Sequence, residues 1–180
     1  MNIIDLNAEN NKLFRAFLLV CFLLGILFIT GCALQSSGNA VMDYERFLDN
    51  LRLSGIVIEE TVNVPHPVIS AEDESIFSVG GKRIRIAGGG ILLVLVYEDE
   101  AAAKAETEFI SRDGHDLSIP DGKFYHQIDY ISPPHWYQSG RIIVLYNGPE
   151  GVTDDYETLE LLNKILGMQF AGDGPVRAIE

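Results

Sequence analysis

Ile91-Leu92-Leu93-Val94-Leu95-Val96-Tyr97 decides how the rest of the chain is read. Seven consecutive apolar residues, most of them branched, are too few for a lone helix. The run has no alternation that would leave one face wet, so it predicts a strand covered on both faces. Arg141–Asn147 (RIIVLYN) repeats the signal. Two such strands require cover on both sides of one sheet.

Working outward, Asp99 can cap a helix over about Glu100–Ile110, with Ala102, Ala105 and Phe109 facing inward. The triplet Gly88-Gly89-Gly90 predicts a turn before the central strand. Ile76–Val79, Gly80-Gly81 and Lys82–Ile86 read as a hairpin whose glycines supply positive φ, with Phe77 opposite Ile84. Further upstream, Ile56–Val64 is β-branched and reads as a strand, Pro65-His66-Pro67 breaks it, and Ala71–Ser75 is an acidic loop. Asp43 caps a helix to about Leu53, where Tyr44, Phe47, Leu48 and Leu51 make one apolar face and Gly55 ends it.

Downstream, Asp113-Gly114 is a turn and Phe124–Ile131 alternates like a strand. Ser132–Gly140 reads as an aromatic loop, with Arg141 placed to pair with an acid. Thr153 is expected to cap a last helix carrying Asp154 and Asp155 in its first turn, burying Tyr156, Leu159, Leu162 and Leu166, and stopping at Gly167. The expected order is α-β-β-β-β-α-β-β-α. It predicts an α+β fold: a mixed, mainly antiparallel sheet of about six strands with helices packed on it, including a right-handed crossover unit over 91–131. The segments 91–111 and 141–167 share the order strand then helix, without identity enough to make a repeat.

The N-terminus has a different character. Lys12 and Arg15 precede Ala16–Thr30, an uncharged apolar run, and then Gly31-Cys32. A positive region, a short apolar region and a small residue before a cut is the layout of a signal peptide. Ile29-Thr30-Gly31-Cys32 resembles the lipobox of bacterial lipoproteins. The resemblance implies transfer of a diacylglyceryl group to the Cys32 sulfur, cleavage after Gly31, and acylation of the new amino terminus. Ala33–Ala40 would then be a flexible tether. An uncleaved span is the alternative, because Ala16–Leu34 is 19 residues without a charge. In either case the cations put the N-terminus in the cytoplasm and the domain outside it. Ala33 carries no acidic retention signal, which favours the outer membrane in a host with two membranes. The expected organisation is a signal peptide or anchor over 1–31, lipidated cysteine and tether over 32–42, one domain over 43–171, and a loose tail over 172–180.

Charge and cysteine content set limits. The chain has 13 basic and 26 acidic residues, a net charge of −13. Asp5, Glu9, Lys12 and Arg15 cancel, so the part after residue 31 carries the same charge. Such a domain repels nucleic acid and has no polybasic patch for anionic lipid. Cys21 and Cys32 are the two cysteines, so the domain has no internal disulfide and no cysteine-based zinc site.

No catalytic set emerges. Gly80-Gly81-Lys82 lacks the spacing of a phosphate loop, and Gly88–Gly90 leads into a strand where a dinucleotide loop leads into a helix. His66, His115, His126 and His135 show no helical metal spacing, so no metal and no cofactor beyond the lipid on Cys32 is expected. Ser111, His115 and Asp116 have the residue types of a nucleophilic triad, but they crowd into one short loop. Asp113–Asp121 lacks the ligand alternation of an EF-hand loop. The candidate recognition loop is Pro134-His135-Trp136-Tyr137, which holds the single tryptophan between other amphipathic aromatics.

From about Phe77 to Gly172 the chain also resembles a family of small, uncharacterised bacterial envelope lipoproteins. The residues are Phe77-Ser78-Val79-Gly80-Gly81, Ile84-Arg85-Ile86, Val96-Tyr97 with the alanine-rich helix, and Ile110-Ser111-Arg112-Asp113-Gly114. They continue with Pro134-His135-Trp136-Tyr137, Gly140–Tyr146 and Leu166–Gly172. The resemblance implies an envelope location and one compact fold, and it adds no chemistry. The leading expectation is therefore a membrane-anchored binding module for an envelope protein or small ligand. An envelope hydrolase using His126, His135 and Asp129 is the rival, and a structural or assembly component is a third reading.

Overall fold

The computed structural model describes residues 41–65, 76–118, 125–152 and 155–175. The segment with the lipobox and Cys32, His66, the Ala71–Ser75 loop, Phe124, Thr153, Asp154 and residues 176–180 lie outside the described residues, as does the side chain of His126. Among the described residues no helix is long and apolar enough to cross a membrane.

Helix α1 (Tyr44–Leu53) starts where Asp43 accepts a hydrogen bond from the Arg46 N–H at 3.0 Å. Its buried face is Tyr44, Phe47, Leu48 and Leu51, as the spacing predicts, and Gly55 leaves the helix at φ 85°. Strand β1 (Ile58–Val64) pairs antiparallel with β2 (Gly81–Ile86), and β2 with β3 (Ile91–Val96). Next in the chain come helix α2 (Glu100–Glu106), a 3₁₀ turn (Thr107–Phe109), and two short strands, β4 (Asp116–Ser118) and β5 (Tyr125–Gln127), paired with each other. Strands β6 (Pro134–Ser139) and β7 (Ile142–Asn147) follow, then helix α3 (Tyr156–Leu166) and the two-residue β8 (Ala171–Gly172).

The main sheet has six strands in the order β1-β2-β3-β7-β6-β8. This is the α+β architecture expected from the sequence, with every pairing between these strands antiparallel. β3 and β7, the two apolar runs, lie side by side at its centre. Strand alternation divides their side chains between two cores. Leu92, Val94, Ile142, Val144 and Tyr146 face α1 and α3, where they meet Phe47, Leu51, Leu162 and Leu166. Leu95, Ile143 and Leu145 face the other side, with Ile76, Phe77, Ala103, Leu117 and Trp136.

Several local expectations are corrected. The tight hairpin turn is Gly88–Gly90: Gly88 and Gly89 have φ near 92° and 94°, and the Ile86 N–H donates to the Gly90 carbonyl at 3.0 Å. Gly80-Gly81 is no such turn. A Cβ on Gly80 would collide with the Pro65 carbonyl, so glycine there serves a close backbone approach. Ile76–Val79 is irregular and folds over the second core. The partner of Ile84 on β1 is Thr61, and Phe77 lies 6.0 Å from the Trp136 ring. No crossover unit forms over 91–131, because β3 pairs antiparallel with both neighbours.

Helix α2 turns a different face inward. Ala103 and Glu106 are buried, whereas Ala102 and Ala105 are exposed. The regular part of Phe124–Ile131 is three residues long. Asp155, two residues beyond Thr153, caps α3, and Tyr156 is exposed. At the start of the expected tail, the Gly172 N–H donates to the Arg112 carbonyl at 3.0 Å and the Asp173 N–H to the Pro134 carbonyl at 3.1 Å; the tail's end, 176–180, lies outside the described residues. Arg141 does meet an acid, Asp43, at 3.6 Å.

Candidate functional site

The expected aromatic loop is strand β6. Two prolines made it look irregular, but Pro134 occupies the first position of the strand, where a missing N–H is tolerated. Pairing on both sides buries the segment: Trp136 is fully buried and Tyr137 1% exposed. Trp136 points into the second core, where its indole N–H donates to the Gly114 carbonyl at 3.1 Å. The four residues Pro134, His135, Trp136 and Tyr137 therefore present no exposed aromatic anchor.

His135 and Tyr137, two residues apart, share the other face of the sheet and form part of the wall of a cleft beside α3. The cleft has a volume of about 590 Å³; Leu159, Asn163, Met168 and Gln169 line it with them, and Asp173–Pro175 close one side. His135 is 7% exposed and its Nδ1 lies 2.7 Å from Gln169 Oε1. Gln169 is itself buried, and its Nε2 donates to the Asp173 carbonyl. That second bond fixes the amide: Oε1 must face the histidine, so the neutral ring carries its proton on Nδ1 and donates it. No described residue bonds Nε2.

Polar groups continue along this face. Tyr146, opposite His135 on β7, has its ring 6.2 Å from the imidazole and donates from its hydroxyl to Asp155 Oδ2 at 2.5 Å. Burial acts to raise the Asp155 carboxyl, but hydrogen bonds from Tyr146 and from the side chain and backbone of Thr158 outweigh it. The carboxyl ends below its ordinary value. The Tyr137 hydroxyl is sealed from solvent with no partner among the described residues, and burial pushes its pKa up.

The other candidates do not assemble. The Ser111 hydroxyl donates to Asp113 Oδ1 and accepts from the Asp116 N–H at 2.9 Å, while His115 Nδ1 faces the Ile128 carbonyl at 3.3 Å. This is a turn that consumes its own polar groups, and no triad forms. The Ser111 bond, with the His115 N–H behind it, holds the Asp113 carboxyl below its usual range. His135 is bonded to an amide, and Asp129 is exposed. No group of three or more His, Cys, Asp or Glu residues among the described residues is placed to hold a metal ion.

Sequence reasoning found His135 and Tyr137 but assigned them to a surface loop. It missed Gln169 and Asn163 as site residues. A lone glutamine between Met168 and Phe170 has no periodic signal, and its role appears only when β8 brings it beside β6. Compared with known proteins, the chain matches no family model, no curated protein and no solved structure.

Proposed function

We propose that this chain is an extracytoplasmic lipoprotein of the bacterial envelope, held to a membrane by lipid on Cys32, whose domain is a binding module. The anchor rests on the order of Lys12 and Arg15, the apolar run and Ile29-Thr30-Gly31-Cys32. Two or more acyl chains on one residue anchor stably, at about 0.8 kcal/mol per buried CH₂, whereas one alone is marginal. The acidic surface supplies no second route to an anionic membrane.

The observation that carries the binding role is the cleft beside α3, where a buried histidine is oriented by a buried glutamine. Its size is within the usual range for small-molecule sites, and apolar walls around a few fixed polar groups are their common composition.

Two measurements test the two halves. Mass spectrometry of chain purified from membranes is expected to show acylated Cys32 as the first residue, and an intact Met1 would overturn the lipid anchor in favour of an uncleaved span. For binding, full-length chain is incubated with a small-molecule extract of the envelope, and the molecules it retains are compared with those kept by Asn163→Trp, which fills the cleft from α3. The wild type should retain molecules that the variant does not. Equal retention, or none, would sink the binding role.

A further inference from the structure

We propose that β1 is a self-pairing edge: two copies of this chain meet antiparallel along Glu60–Val64 and join their six-stranded sheets into one. The proposal stands apart from the cleft beside α3 and does not depend on it.

The backbone carries the argument. The Ile86 N–H donates to the Gly90 carbonyl. Alternation along an antiparallel strand then aims the backbone groups of Lys82, Ile84 and Ile86 at β3, and those of Gly81, Arg83 and Arg85 at β1. There they meet Val64, Val62 and Glu60. The N–H and C=O groups of Thr61 and Asn63 are left pointing away from the sheet. Both residues are exposed, and no described residue bonds these backbone groups. At the other edge β8 is two residues long, and its Gly172 N–H is taken by the Arg112 carbonyl at 3.0 Å.

The residues on β1 match a second copy of themselves. Open edges are commonly guarded by charge, proline or a bulge. Here the guards stand at the two ends: a bulge between Ile58 and Glu60, and Pro65 beyond Val64. Thr61-Val62-Asn63-Val64 between them carries no charge in a chain of net charge −13, so a partner equally acidic can approach there. Centred on Val62, the pairing sets Thr61 of each copy against Asn63 of the other, and every outward group of the two residues is used. Val62 then meets Val62, and Glu60 meets Val64. A pairing centred on Thr61 spends Asn63 on the bulged Glu59. Centred on Asn63, it sets Thr61 against Pro65, which has no N–H. Centred on Glu60, it opposes two carboxylates. In the Val62 register the two Glu60 residues lie about 13 Å apart along the strands, beyond the screening length of about 8 Å at physiological salt. Each is also paired with its own Arg85 at 3.1 Å.

Disulfide mapping of the full-length chain, in membranes of the cells that express it, tests the pairing. A two-fold axis through Val62 makes Val62 and its copy a non-hydrogen-bonded pair, with Cα atoms about 4.5 Å apart. That separation is within disulfide reach. Under mild oxidation Val62→Cys should cross-link to itself, about tenfold or more above Glu60→Cys or Val64→Cys alone. Co-expressed Glu60→Cys and Val64→Cys chains should cross-link to each other. The wild-type chain, with Cys21 and Cys32, sets the background. Adding Thr61→Pro to Val62→Cys removes an outward N–H and no bond within the sheet, a change that an edge strand tolerates. Cross-linking should then fall about tenfold.

Equal yields at the three positions, or no dimer from Val62→Cys, would overturn the pairing. Capture of a different protein by Val62→Cys in place of the second copy would overturn the occupant. Undiminished cross-linking with Thr61→Pro would overturn the backbone bonds. The comparison of positions 60, 62 and 64 holds whatever the proline does to the fold.

Discussion

The two faces of the main sheet are covered by different means. On one, α1 and α3 lay down apolar stripes, and each helix bonds its own backbone internally. Asp43 and Asp155 need only cap the ends. On the other, the cover is a seven-residue helix, a 3₁₀ turn, the irregular residues 76–80 and the small β4–β5 sheet. Irregular backbone buries N–H and C=O groups that no ladder satisfies, so each requires an individual partner. Glu106 is one such partner. Buried as the last residue of α2, it accepts from the Ser78 N–H at 3.0 Å and from the Tyr97 hydroxyl at 2.7 Å. The Trp136 indole on the Gly114 carbonyl is another. Helices distribute the stability of a face over many contacts, and loops concentrate it in a few.

Trp136→Ala should show the largest effect. Truncating a fully buried tryptophan costs about 3–5 kcal/mol, and the bond to Gly114 goes with it. Phe47→Ala, on the helical face, should cost a similar amount in denaturant titration. The two should differ in hydrogen exchange. Trp136→Ala is expected to open residues 111–117 preferentially, whereas Phe47→Ala should lower protection evenly. Matching exchange patterns would remove the distinction between the faces, and a Trp136→Ala cost under about 1 kcal/mol would contradict the burial of this side chain.

Glu106→Ala comes next. It strands the Tyr97 hydroxyl and the Ser78 N–H, each otherwise satisfied by one carboxylate. Leaving such groups unpaired costs about 1–3 kcal/mol. The effect should be local, with faster exchange at residues 76–80 and little change in α1 or α3. Uniform loss of protection would mean that the loop and the helical face unfold as one unit.

The same contrast explains how much was legible in the sequence. α1 was readable to the residue because capping and a 3.6 period are local signals. β3 and β7 were readable because seven branched apolar residues have few other uses. β6 was not, since its pairing depends on β7 and β8, and the local sequence Pro133-Pro134 argues for a loop. Helix α2 was found with the wrong face inward. Its alanines carry too little contrast to fix a phase, and the residue that does fix it, Glu106, is a charge that pattern reading places in solvent. For the site, His135 and Tyr137 stood out by composition. Gln169, Asn163 and the cleft belong to tertiary contacts between elements far apart in the chain.

Acid should discriminate between the faces more gently. The Asp155 carboxyl has a folded pKa below its unfolded value of about 3.9. A depressed carboxyl contributes stability that is present above the unfolded value and lost as pH falls through the folded one. Stability should therefore decline below about pH 4, with fraying of α3. Asp155→Asn should remove that part of the acid dependence. It should cost less than Asp155→Ala, for which loss of the cap amounts to about 1 kcal/mol at neutral pH, because asparagine still caps. Thermal unfolding at pH 3.5, 4.5 and 7 checks it. An Asp155→Asn variant whose acid sensitivity equals that of wild type would contradict the assignment.

The smallest effect is the sharpest check on how α2 sits. Ala105→Lys replaces an exposed alanine by another good helix former, so its cost should stay within about 0.5 kcal/mol. Ala103→Lys changes the same chemistry two residues earlier, at a fully buried position in the second core. There the ammonium group must be desolvated or the helix displaced, and the cost should rise to several kcal/mol. Charge change and helix propensity are the same in both variants, so only orientation separates them. If Ala105→Lys proved the damaging one, α2 would face inward along Ala102 and Ala105, as the sequence pattern alone suggested. Glu106 would then lose its buried partners, and the contrast between the two faces would have to be redrawn.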